Sequence, residues 1–166
     1  MIRMNGDPHL LGNSRIIFLF VGLLLLSCIT YSPGPELLGR YPRGNVLTAT
    51  VNSTYLYYGS GLNLVIADIS DPAHPVEVGH LALPDIVNRI YVAHDYAYIA
   101  NRYGGLRIIN ISNPSSPTEV CVLPLPDPVQ DVVVWGTHAY VASYSSGLRV
   151  VNIAAPSAPV QVGIID

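Results

Sequence analysis

The sequence predicts an all-β fold of three four-stranded antiparallel repeats, arranged as β-propeller-like blades. Three observations carry this. The stretch GLRIINISNPSSP from Gly105 recurs as GLRVVNIAAPSAP from Gly147, and a more divergent copy, NLVIADISDPAHP, starts at Asn63. The copies are spaced 42 residues apart, within the 20 to 50 residue period of solenoids and propellers. Composition points the same way: 11 Tyr and 14 Pro against one Trp and two Phe suit short strands joined by tight turns.

The units run over residues 46–86, 87–128 and 129–166, and each holds four segments in the same order. The first is an apolar run, LTATV from Leu47, RIYVA from Arg89 and DVVVW from Asp131. Near absence of alternation predicts a strand buried on both faces. A polar turn (NST, HDY, GTH) leads to YLYYG, AYIAN and AYVAS, in which Tyr57, Tyr98 and Tyr140 share one repeat position. Recurrence in every unit predicts packing between units. A Gly-rich turn precedes the third strand, LVIADIS, LRIINIS and LRVVNIA, opened by Leu64, Leu106 and Leu148. Within it Asp68, Asn110 and Asn152 are expected to hydrogen-bond the backbone of the following turn. Paired prolines (DPAHP, NPSSP, APSAP) then end the strand and fix that turn. The fourth strand, VEVGHL, TEVCVL or VQVGII, alternates in its first half as an outer edge strand does. Asn63 stands where the other copies have Gly105 and Gly147, and Ala155 where they have Asp71 and Asn113, so those two turns are expected to differ in geometry.

These units resemble the LVIVD repeat, named for the third strand that here reads LVIAD, LRIIN and LRVVN, with the AYVA-type second strand and DPxxP-type turn beside it. The resemblance covers residues 46–166. It implies a propeller-like, extracytoplasmic or surface-associated protein, in a family whose members largely lack an assigned activity.

The N-terminus reads as an address. IIFLFVGLLLL, Ile16 to Leu26, follows Arg3 and Arg15 and is shorter than the ~20 residues a spanning helix needs, which fits a signal-peptide core. The ending LLSC resembles a lipoprotein signal, with Cys28 as the lipidated residue of a segment 1–28. An ordinary signal peptide or an uncleaved short anchor is the alternative. Ile29, not Asp, follows the cysteine, which does not favour inner-membrane retention if the cell has two membranes. Residues 29–45, rich in Pro and Gly, are expected to be a linker. The expected location is extracytoplasmic and membrane-anchored, periplasmic or at the cell surface.

Composition excludes several functions. Half the residues are apolar, 11% are charged and the net charge is −3, so no basic row exists for nucleic acid. His9, His74, His80, His94 and His138 show no metal-ligand spacing, and no CxxC or HExxH occurs; neither a metal nor a cofactor is expected. Cys121, at the repeat position of Gly79 and Gly163, reads as a small buried thiol.

Three blades are too few to close a ring. A longer propeller of which this is a piece, two chains sharing a ring, or an open arc capped by residues 29–45 each answer this. Function is expected in the non-repeated residues. Arg102, Tyr103, His94, His138 and Trp135 are the candidate ligand-facing positions, with Arg89 and Tyr144 beside them; a solvated turn arginine and a core tryptophan are the plainer readings. The leading function is a non-enzymatic binding or scaffold module with a protein or glycan ligand, possible as a homo-oligomer. The alternative is a propeller-type hydrolase, lactonase or lyase whose channel site other blades or a second chain complete. No catalytic set is visible: Asp85 and Asp127 recur in LPD motifs, which turn formation explains.

Overall fold

The computed structural model describes residues 45–166. Cys28, its signal segment and nearly all of the 29–45 linker lie outside the described residues. Twelve strands form three four-stranded antiparallel sheets. The first holds β1 (Val46–Asn52), β2 (Tyr55–Ser60), β3 (Asn63–Asp68) and β4 (Val76–Ala82). The second holds β5 (Arg89–Ala93), β6 (Tyr96–Ala100), β7 (Leu106–Asn110) and β8 (Thr118–Leu123); the third holds β9 (Asp131–Trp135), β10 (His138–Ala142), β11 (Leu148–Asn152) and β12 (Val160–Ile165). Strand order equals chain order in every sheet, which makes each sheet an up-and-down blade with an inner strand first and an outer strand last.

The blades stack through two mixed cores. Tyr57, Leu64 and Ile66 of the first blade meet Val87, Ile90, Ala97, Ile99 and Ile109 of the second. Tyr98, Ala100, Leu106 and Ile108 of the second meet Val129, Val132, Ala139, Val141 and Val151 of the third. The first two blades thus present a forward face opened by a tyrosine, and the second and third a back face of alanine and β-branched residues. Tyr57 and Tyr98 are 3% and 4% exposed, so at these two of the three shared positions the tyrosine packs between blades as its recurrence predicts, whereas Tyr140 is half-buried. Burial raises the phenol pKa values of Tyr57 and Tyr98.

The Asx residues cap the turns as expected: Asp68, Asn110 and Asn152 accept from Ser70, Ser112 and Ala154 N–H at 2.8, 2.9 and 2.9 Å. In the proline turns, Asp71 and Asn113 accept from the second residue on, which Ala155 cannot do. The turn nevertheless keeps the same backbone bond, His74 N to Asp71 O, Ser116 N to Asn113 O and Ala158 N to Ala155 O at 3.1, 3.0 and 2.9 Å. The prolines set it without the side chain. The turn before β3 does differ: Gly105 and Gly147 have φ of 81° and 74°, whereas Asn63 already pairs with Ser60 in β2.

Two expectations need correction. The inner strands are not uniformly buried on both faces. Val46, Leu47 and Val51 of β1 and Val133 and Trp135 of β9 are exposed, because only β5 has an inner strand on each side, β1 and β9. Cys121 is half-buried and free, because β8 is an outer edge strand. It pairs with Ile108 beside a bulge that omits Val120; Val78 and Val162 are omitted in the same way in β4 and β12.

Each β-turn between the first two strands puts one residue at positive φ: Ser53 at 56°, His94 at 53° and Gly136 at 60°. Only glycine adopts that region freely. His94→Gly is expected to raise stability by about 0.5–1 kcal/mol and Gly136→Ala to lower it by about 1 kcal/mol, read as urea midpoints. No atom lies within 4 Å of a Cβ built on Gly136, so its cost is that of the backbone alone.

Candidate functional site

At one end of the blades, the connector entering each blade meets the turn between that blade's second and third strands. In the second blade Asn101, fully buried, joins them: its Nδ2 donates to the carbonyls of Asp85 and Ile86 at 2.5 and 3.3 Å, and its Oδ1 accepts from Arg107 Nε at 3.0 Å. Asp85 Oδ2 accepts the Tyr103 N–H at 3.0 Å, and Arg107 pairs with Glu119. In the third blade Ser143 replaces Asn101, and its Oγ donates to the Asp127 carbonyl at 3.2 Å. Gln161 stands where Glu119 does, and the buried Arg149 Nε has no hydrogen-bond partner among the described residues.

The compensation is Asp127. Ser145 Oγ donates to its Oδ2 at 2.6 Å, and Ser146 Oγ donates to the same oxygen. These two hydroxyls, with the nearby Arg149 charge, hold the carboxyl below the usual carboxylate range. The turn itself is a short 3-10 segment, Tyr144–Ser146.

Between the Arg102–Tyr103 and Tyr144–Ser145 turn tips and the Asp127–Gln130 connector lies a groove of about 450 Å³. Tyr103 and Tyr144 are 72% and 74% exposed. The Arg102 guanidinium lies 5.2 Å from the Tyr103 ring centre and makes no ion pair among the described residues. Both Arg102 and Tyr144 sit at positive φ, 44° and 33°, and the Arg102 carbonyl accepts Val129 N–H at 2.8 Å.

The five candidate positions divide between the two ends. Arg102 and Tyr103 border this groove. His94 borders a different cleft, with Tyr96, Tyr98, Val134 and Pro156, at the far end of the five-residue β6, about 16 Å away at the rise of a strand. Trp135 and His138 flank the turn at that same far end. Trp135 is 79% exposed, so it is not a core residue. Arg89 pairs with Asp131 across the inner strands at 3.3 Å. The sequence reading missed Gln130, Ser145 and Ser146; the change from Gly104 to Ser146 between equivalent turns was the available signal. Among the described residues no three metal-binding side chains cluster, and no helix is long and apolar enough to cross a membrane.

Asp127 sets a pH dependence. Its folded pKa lies below the unfolded value of about 3.9, so its contribution is complete above that value and is lost as pH falls through the lower, folded one. Asp127→Asn is expected to flatten the loss of stability between about pH 5 and pH 2, measured as urea midpoints. Asp71, also lowered, by its bond to His74, keeps its own share in that variant.

No curated protein sequence matches the chain. Among solved structures it is similar to the computationally designed Ika4 protein, at TM-score 0.65 and 9% identity over 80% of this chain and 81% of that one. It is also similar to the designed Ika8 protein (0.57, 8%, 69% and 35%) and to the N-terminal domain of Nup159 (0.52, 14%, 76% and 35%). The chain spans about a third of the latter two, and at these identities the likeness is one of fold. The LVIVD repeat model matches residues 44–82, 86–122 and 128–166, the three blades described above; the chain belongs to the LVIVD repeat family.

Proposed function

We propose that this chain is a non-enzymatic binding module of the cell envelope, tethered through a lipidated Cys28 and contacting a glycan through the turn-tip groove. The observation that carries the binding role is the pair of exposed tyrosines, Tyr103 and Tyr144, on either side of a polar groove bordered by Arg102, which makes no ion pair among the described residues. Tyrosine rings offer flat apolar faces for the C–H faces of a sugar, while the guanidinium and the Gln130 amide offer hydrogen bonds for its hydroxyls. The Asp127 carboxylate is engaged by two serines and positions the turn. Loop residues on a repeated scaffold are where such a function resides.

Two measurements test this. Full-length protein and its Arg102→Ala and Tyr144→Ala variants are screened against envelope polysaccharides and oligosaccharides by calorimetry. A glycan whose affinity falls about tenfold in each variant supports the reading, a loss equivalent to one good contact; binders indifferent to both variants, or protein binders alone, refute the glycan assignment. Fatty-acid labelling in cells, lost in Cys28→Ser, supports the tether. A soluble, unlabelled chain refutes it.

A further inference from the structure

The forward face of the third blade repeats a surface that is covered twice elsewhere in the molecule. Leu64 and Ile66, and Leu106 and Ile108, are completely buried beneath the next blade's back face. Their equivalents Leu148 and Val150 are only half-buried, as is Tyr140, and Val133 and Trp135 on the same face are exposed. Two details match the apolar pattern. A Cβ on Gly79 would lie 2.1 Å from the carbonyl oxygen of Pro114 in the next blade's proline turn, whereas one on Gly163 would meet only Val150 of its own sheet. The carbonyls of Gly61 and Arg102 accept the N–H groups of Val87 and Val129, which open the following blades; Tyr144 holds that position in the third blade.

We propose that this face docks a further LVIVD-type repeat, one whose back face carries alanine and a β-branched residue on its second strand and whose paired-proline turn seats on Gly163. The occupant is identified by the two faces already filled, where Ala97 with Ile99 and Ala139 with Val141 do this. It is not the first repeat of a second copy. There Leu56 and Tyr58 take those positions, and Tyr58, Val65 and Ala67 are already buried.

The test extends the full chain after Asp166 with a copy of residues 83–128, which continues the 42-residue spacing. Trp135 is the only tryptophan and the appended residues contain none, so its emission reports on the face. The expected result is a blue shift and acrylamide quenching reduced by about half, as apolar contact replaces water. Both are absent when the appended copies of Ile90 and Ile99 are Asp, and when Gly163→Val fills the proline seat. Trp135 as quenchable in the extended chain as in the natural one overturns the proposal. So does shielding of Trp135 in the natural chain that grows with concentration alongside a dimer mass, since the occupant is then a second copy.

Discussion

Asn101→Ala is expected to lower stability by about 3–4 kcal/mol, among the largest effects of any single side-chain truncation in the chain. The amide is fully buried, and two of its three bonds reach back 15 and 16 residues to the connector carbonyls of Ile86 and Asp85, while the third is accepted from Arg107 in the following strand. Truncation leaves two carbonyls and a guanidinium N–H without partners, at about 1–3 kcal/mol for each group that water cannot reach. Asn101→Ser is expected to cost about half as much, since a hydroxyl can still reach a connector carbonyl, as Ser143 does in the third blade. Urea unfolding decides the matter. A loss under about 1 kcal/mol for the alanine variant would show that water replaces the amide and that the connector is not held by it.

Gly79→Val is expected to cost about 3 kcal/mol and Gly163→Val less than about 0.5 kcal/mol, although the two glycines occupy one repeat position. The obstacle at Gly79 is the Pro114 backbone. A proline turn cannot swing aside, so the first two blades must part and strain the core that Tyr57 and Ile90 share. At Gly163 the neighbour is a Val150 side chain at 3.4 Å, an ordinary contact. Equal costs would mean that the penalty arises within the strand, from its bulge, and that inter-blade packing plays no part.

The parts of this fold legible in the sequence are those that a repeat determines locally. The Asx bonds of Asp68, Asn110 and Asn152 and the proline turns lie within a few residues of their causes. Tyr57 and Tyr98 were legible for a related reason, since three copies of a bulky aromatic at one position imply a common packing role. Burial that depends on a neighbouring blade was not legible: Tyr140 carries the same residue in the same register, yet it is half-buried where its equivalents are covered. Trp135 lies on such an open face, whereas Cys121 is half-buried for a different reason, its place on an outer strand. The groove was half-legible. Arg102 and Tyr103 stood out by breaking the repeat, but the Asp127 contacts to Ser145 and Ser146 close over 18 and 19 residues, and no local pattern announces them.

The recurring bulge has a consequence for how such molecules avoid aggregation. An outer strand with a row of free amides invites another strand to zip alongside it, and an extra residue that breaks the hydrogen-bond spacing and sharpens the twist removes the template. With Val78, Val120 and Val162 each displaced from the ladder, the three rims are poor partners for intermolecular sheet growth even though valines line them. Misassembly of this chain in the cell should then proceed by clumping of unfolded copies rather than by fibril growth from the folded protein.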